Sequence, residues 1–213
     1  MPKTVSIDVT IERPKDLEDE YRVRSGQVRL LSIPEHRFVM VDGSGPPGGE
    51  AFETRMPSLY GTAYGLRFAL KRRGIVAKVG PLERLWWRSD GVTDLDAIFG
   101  GDRDAWRWTL MVVVPEEAAD DEIEEHLAAA RKKVDRVVAP TLRVERFAEG
   151  DVAQVLHVGP YSEERPSVER LDAGIVAAGF RPRGRHHEVY LGDPRRVAPQ
   201  RMRTVLRHPI EPN

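Results

Sequence analysis

The chain has 213 residues, 33 Lys plus Arg against 34 Asp plus Glu, and no cysteine, which excludes disulfide scaffolds, zinc-thiolate sites and cysteine nucleophiles. With 40% hydrophobic and 31% charged residues it reads as globular, and a net charge of −1 argues against a general phosphate-binding role, so nucleic acid is not an expected partner. The longest uncharged apolar stretch, Trp108 to Pro115, falls far short of the about 20 residues of a membrane span, and Met1 to Asp8 lacks a signal peptide's apolar run, so a cytoplasmic protein without a membrane partner is expected.

Along the chain, about 35 residues that read as extended precede a β-branched strand over Arg37 to Asp42 and a turn-rich Gly43 to Gly49. The spacing predicts a helix from Pro57, suited to a first helical position, to Arg73, with Gly74 as its stop. Strands follow over Leu82 to Arg88 and Ala105 to Val114, separated by a polar loop from Asp90 to Asp104. An acidic helix is predicted over Asp120 to Val137, negative at its start and positive at its end, as the helix dipole favours. Arg143 to Ala148 and Ala153 to Val158 suggest a hairpin turning at Gly150-Asp151. A helix over Pro166 to Ala178, stopped by Gly179, and strands over His186 to Leu191 and Arg203 to His208 complete the chain.

Strand, helix, strand, strand thus occurs twice, which predicts an α+β fold of duplicated β-α-β-β units. Each unit covers one face of its sheet, so two copies are expected to form one domain, sheet against sheet, around a central ligand cleft. The expected boundaries are a single domain over 1–213, with an extension at 1–35, a first repeat at 36–115, a linking helix and strand at 116–150, and a second repeat at 151–210.

Four tryptophans fall on two predicted strands. Side chains two apart share a face, so Trp106 and Trp108 point together while Trp86 and Trp87 point to opposite faces. Large aromatics fill cores, but several indoles on adjacent strands also build a slot for flat or cationic ligands. Met56, Tyr60 and Tyr64 share one face of the first helix, beside a structural stripe of Leu59, Ala63, Leu66 and Leu70. Glu188 and Tyr190 share a strand face. If that face is the cavity, Glu188 is a desolvated counter-ion or general base; if not, it is an edge glutamate paired with one of the many arginines.

Other motifs fail. Gly43-Ser-Gly45-Pro-Pro-Gly48 matches G-x-G-x-x-G, yet Pro46 and Pro47 remove the amides a pyrophosphate needs, and no cofactor is expected. His186 and His187 face opposite ways on a strand, and no H-E-x-x-H completes a metal site. G-x-S-x-G, S-x-x-K and Walker A sequences do not occur.

Pro81-Leu-Glu-Arg-Leu-Trp-Trp87, Trp106-x-Trp-Thr-Leu-Met111, His157-Val-Gly-Pro-Tyr161, His186-His-Glu-Val-Tyr-Leu-Gly-Asp-Pro-Arg-Arg196 and Thr204-Val-Leu-Arg-His-Pro209 together resemble the stand-alone GyrI-like small-molecule-binding proteins. The resemblance runs from about Arg22 to Ile210. It implies a pseudo-two-fold SHS2-type fold, shared with multidrug effector-binding domains, and an aromatic cleft with a buried glutamate. Residue by residue it implies Glu188 as that glutamate and Tyr190 as its neighbouring tyrosine. Trp86, Trp87, Trp106, Tyr60 and Tyr64 match aromatic positions, with Trp108 and Met111 of the same motif as further ligand contacts. Arg84 departs from the small residue expected beside the double tryptophan, and Leu142 to Ala148 has no match.

Three functions follow. The first is binding of lipophilic aromatic or cationic, multidrug-type small molecules, as a monomer or weak dimer. The second is implied by relatives that open the cyclopropane of DNA-alkylating cyclopropanoids: a hydrolase in which Glu188 activates water and Tyr190 or a helix tyrosine donates a proton. The third, a protein-interaction or gyrase-modulating module, would use surface rather than cleft residues. A transcription factor is disfavoured, because the leading segment does not read as a helix-turn-helix.

Overall fold

The computed structural model describes residues 9–46, 49–90 and 105–213. After a single helical turn, α1 (Leu17–Glu20), whose N-cap Asp16 side chain accepts from the Asp19 amide, the chain enters β1 (Arg29–Ser44). This strand starts ahead of the predicted Arg37, because its early half is fixed by pairing with a distant strand, Arg29↔Gln154 to Ile33↔Gly150, while Pro34 and charged neighbours blur its local pattern. Helix α2 (Glu50–Arg72) also starts earlier than predicted, with Gly49 as N-cap and Pro57 inside. The proline lacks only the amide that would bond the Glu53 carbonyl, and the good helix formers around it carry the helix across. Gly74, at φ 80°, takes the left-handed turn beyond the helix end.

Strands β2 (Leu82–Arg88) and β3 (Trp106–Val114) follow. Residues 91–104 of the predicted polar loop lie outside the described residues. Helix α3 (Asp120–Arg131) stops short of the predicted Val137, since the Asp135 side chain accepts from the Val137 amide and opens a separate turn. Next come β4 (Arg143–Val158), α4 (Arg165–Ala177), β5 (Phe180–Pro182), β6 (His186–Tyr190) and β7 (Arg203–Pro212). The predicted hairpin is instead the single strand β4. Gly150, at φ 74°, bends it without reversing it, because each arm finds its partner elsewhere, in β1 and β7.

The sheet order is β4-β1-β3-β2-β6-β7, and β7 pairs back with β4, so six antiparallel strands close into a barrel with β5 appended to β7. The first half runs β-α-β-β and the second does so with the short β5 added after its helix, and in each the last strand sits between its two partners: β1-β3-β2 and β4-β7-β6. The halves do not stack sheet on sheet, as the sequence suggested. They join edge to edge, β1 to β4 and β2 to β6, which gives the backbone groups of every open edge a partner. Among the described residues no helix is long and apolar enough to cross a membrane.

Period-two alternation then sorts the side chains. Outward residues of the first half, including Val41, Trp86, Trp108, Leu110 and Val112, pack under Leu59, Ala63 and Leu66 of α2, with Ile123 and Leu127 of α3 beside them. Outward residues of the second half, Ala153, Val155 and Leu206, pack under Val168, Leu171 and Ile175 of α4. Each such fully buried aliphatic contributes about 1.5–3 kcal/mol. Gly43 lets Trp108 lie against β1, since a Cβ there would be 2.1 Å from the Trp108 Cη2.

The inward face carries charge. Arg207 Nη1 donates to Glu149 Oε2 at 3.0 Å, His187 Nδ1 lies 3.0 Å from Glu149 Oε1, and His187 Nε2 lies 3.0 Å from Glu83 Oε2. Tyr21 OH donates to Glu83 at 2.6 Å, and Gln154 links Arg207 to the Glu20 carbonyl. Burial raises the Glu149 carboxyl, but His187 and then Arg207 outweigh it and hold it at about 2. Burial lowers His187, yet Glu149 and Glu83 lift it to about 9, so it is imidazolium at neutral pH.

Candidate functional site

The β2–β6 seam sets the floor of a cleft of about 1360 Å³ that opens between α2 and the start of α4. That volume is ample for a drug-sized molecule. The seam register places Arg84 opposite Glu188, Trp86 opposite His186 and Leu82 opposite Tyr190. Arg84, Trp86, Glu188 and Tyr190 all line the cleft, as does Trp106 of β3. Trp106 stands edge-on to Trp86, with ring centroids 5.2 Å apart. From above, α2 contributes Phe52, Met56 and Tyr60, and the Tyr161–Glu164 turn contributes Tyr161 and Glu164.

Arg84 organises the floor. Its Nη2 donates to Glu188 Oε2 at 3.0 Å, and its guanidinium lies 3.6 Å from the Trp86 ring centre and 5.0 Å from that of Tyr190. Tyr190 OH donates a short hydrogen bond to the same Oε2. Glu188 Oε1 accepts no hydrogen bond among the described residues, and His186 Nε2 lies 3.8 Å from it. Burial raises the Glu188 carboxyl, but Arg84, then His186 and the Tyr190 hydrogen bond, bring it below the ordinary carboxylate range. Burial also lowers His186 to about 4, so at neutral pH that contact involves a neutral imidazole and is no ion pair.

The second carboxyl behaves in the opposite way. Glu164 is 4% exposed and follows the turn that His157 clamps, with Nε2 on the Pro160 carbonyl at 3.2 Å and Nδ1 on Ser167 Oγ at 3.1 Å. Gly159 enters that turn at φ 137°. Burial first, and the Glu188 carboxylate second, push Glu164 up to about 9 despite Arg84. Burial thus favours the neutral form of Glu164, while Arg84 and Tyr190 favour the ionised form of Glu188, a division of the kind that separates base from acid.

Among the described residues, four buried polar atoms of the cleft lining have no hydrogen-bond partner, Arg84 Nε, Trp86 Nε1, Trp106 Nε1 and Glu164 Oε1, as do Thr204 Oγ1 and both ring nitrogens of His186 and His208 outside that lining. Buried polar atoms are normally satisfied, so their concentration marks a surface built to meet something polar. No group of three or more His, Asp or Glu among the described residues is placed to hold a metal ion.

Of the residues singled out from sequence, Glu188, Tyr190, Trp86, Trp106, Met56 and Tyr60 share the cleft. The others lie elsewhere. Trp87 is on the inward side of β2, with the Arg185 guanidinium 4.0 Å from its ring centre. Trp108 is fully buried beneath Phe52 and Arg55, its Nε1 donating to the Gly45 carbonyl. Met111 faces inward against Phe38, Met40 and Leu85 because it is an odd number of residues from Trp106. Tyr64 lies outside the lining, 45% exposed, with its ring tilted against Tyr60 at 6.0 Å between centroids. Arg84, Glu164 and Tyr161 were missed. The spacing of two between Arg84 and Trp86 could have placed Arg84 on the cleft face; Glu164 gave no comparable signal.

No protein-family model and no curated protein matches the sequence. Among solved structures, an uncharacterized conserved protein from Listeria innocua is 34% identical, with a TM-score of 0.78 over 92% of this chain and 97% of that one. A hydrolase encoded by lin2189 from Listeria innocua is 33% identical, with a TM-score of 0.75 over 95% of this chain and 100% of that one. The EcmrR C-terminal domain, at 12% identity and a TM-score of 0.57 over 88% of this chain and 98% of that one, shares the fold.

Proposed function

This chain belongs to the family of these Listeria innocua proteins, and from that premise we propose that it is a GyrI-like small-molecule hydrolase, adding water to a planar, lipophilic compound held in the cleft. We read its two β-α-β-β halves as copies of one SHS2-type unit. The observation that carries the reading is the Glu188 carboxylate at the floor. Arg84 and Tyr190 fix its Oε2, while Oε1 is left to orient a water. The indoles of Trp86 and Trp106 and the ring of Tyr60 supply flat apolar area for the substrate.

A carboxylate held low by a cation is a weak base, so the mechanism suits an electrophile with its own driving force. The strained cyclopropane of cyclopropanoid alkylators, the substrate implied by the family resemblance, is such a group. Water bound to Glu188 attacks the ring carbon, the strained C–C bond breaks, and its electron pair moves into the conjugated carbonyl oxygen. The relative described as a hydrolase supports this reading. Incubation of the protein with a cyclopropanoid alkylator is expected to give the adduct of one water by mass spectrometry, and Glu188→Gln to slow it by about 10²–10⁴-fold. An unchanged rate in that variant would show that Glu188 is not the base.

One observation favours a second reading, binding of aromatic cations without turnover. The Arg84 guanidinium, over the Trp86 ring at 3.6 Å and paired with Glu188, has the partners such a ligand would use. Binding would then require Arg84 to move aside, and tryptophan fluorescence quenching by a panel of cations tests it.

A further inference from the structure

We propose that Glu164 is the general acid of this cleft, a neutral carboxylic acid that gives its proton to the substrate oxygen on which charge develops while Glu188 holds the attacking water. The inference rests on the hydrolase reading above and adds to it a catalytic residue, and with it a substrate class: compounds in which an electrophilic carbon is conjugated to, or bonded to, an oxygen that must be protonated.

Glu164 lines the cleft, is almost fully buried, and its Oε1 has no hydrogen-bond partner. An acid at the start of a helix ordinarily serves the helix, accepting from its first free amides. Glu164 does not: its side chain makes no cap, and the amides of Ser167 and Val168 bond to its backbone carbonyl instead, at 2.8 and 3.1 Å. Arg84 donates its hydrogen bond to Glu188, and no ion pair of Glu164 occurs among the described residues. A carboxylate buried without a cation beside a second carboxylate is strongly disfavoured, whereas the neutral acid has one proton to donate and faces the cleft.

The charged and titratable groups around it agree. Arg84 comes from β2, Glu188 and Tyr190 from β6, and Tyr161 from its own turn. Their sum with burial keeps Glu164 protonated to about pH 9. Tyr190, the other candidate donor, already directs its hydroxyl to Glu188 Oε2. The step balances: the water O–C bond forms, Glu188 takes the water proton, the C–C bond breaks toward the conjugated carbonyl, and its oxygen takes the Glu164 proton. The net change is addition of one water, and proton exchange with solvent resets both carboxyls.

Infrared difference spectroscopy at pH 7 tests this without turnover. A deuterium-sensitive carboxylic acid C=O band is expected in the wild type and in Glu188→Gln, and its loss in Glu164→Gln. In parallel, Glu164→Gln should lower kcat for cyclopropanoid hydration about 10²-fold and remove the alkaline limb of the pH–rate profile, with Glu164→Asp restoring part of both. Absence of the band, or an unchanged rate in Glu164→Gln, overturns the proposal while wild-type turnover stands. A wild type that carries the band yet hydrates no substrate overturns the hydrolase reading, and the acid role with it.

Discussion

Strands β2 and β6 present two charged surfaces back to back, and the contrast between them separates structure from site. Inward, Glu83 and His187 join Glu149 and Arg207 in a cluster where every charge has a counter-charge at 3.0 Å. Outward, one residue further along each strand, Arg84 and Glu188 pair as well, but Trp86, Trp106, His186 and Glu164 leave polar atoms unmet around them. Burial is similar on the two sides; completeness is not. The inward network matches charge to charge, with His187 Nε2, 3.0 Å from Glu83, its one atom without a hydrogen bond among the described residues, so it specifies the barrel. An unfinished one has capacity left for a ligand.

Breaking one partner on each side tests that contrast. Arg207→Leu should destabilise the protein by about 3–5 kcal/mol in chemical denaturation, since Glu149 and Gln154 lose their shared donor in a place water does not reach. Arg84→Leu, on the floor of an open cleft, should cost less stability and act on binding. With Trp86 uncovered and Glu188 uncompensated, aromatic cations are expected to bind about tenfold or more tighter by fluorescence titration, while water addition slows.

The two surfaces also titrate apart. His187 is raised from 6.5 to about 9, so its stabilisation is complete below pH 6.5 and disappears as pH rises through about 9; His187→Gln should flatten that alkaline loss. Glu149 is lowered from 4.5 to about 2, so its stabilisation is present above pH 4.5 and goes as pH falls through about 2. On the cleft side His186 is lowered from 6.5 to about 4, and its share is lost on the acid side as pH falls through about 4. Melting temperature against pH resolves these limbs, at roughly 2–4 °C for each kcal/mol. The smallest effect is expected at Tyr64→Ala, outside the cleft and exposed: ligand affinity should stay within about 0.5 kcal/mol, roughly twofold.

What was legible in the sequence was whatever depends on alternation within one strand. Trp86 and Trp87 part to opposite faces, Glu188 and Tyr190 stay together, and the stripe from Leu59 to Leu70 is buried, all as the local spacing requires. What was not legible depends on pairing between strands about a hundred residues apart. Nothing near Arg84 announces Glu188 as its cross-strand neighbour, so the arginine read as a departure rather than as the centre of the floor. Nothing local distinguishes a bent strand at Gly150 from a hairpin, because the difference lies in where β1 and β7 sit. Glu164, in the acid-rich run Glu163-Glu164, looks like a solvated helix start until tertiary packing buries it.

Barrel closure has a bearing on how the cleft adapts. Its base is carried by strands that form part of an uninterrupted ring, where displacing one strand means breaking ladders on both sides. Its walls are short turns, Tyr161 to Glu163 and the stretch from Leu191 to Arg195, and one helix face. Accommodation of differently shaped guests is therefore the work of the walls, and variation there would retune selectivity while the reactive carboxylate keeps its aim.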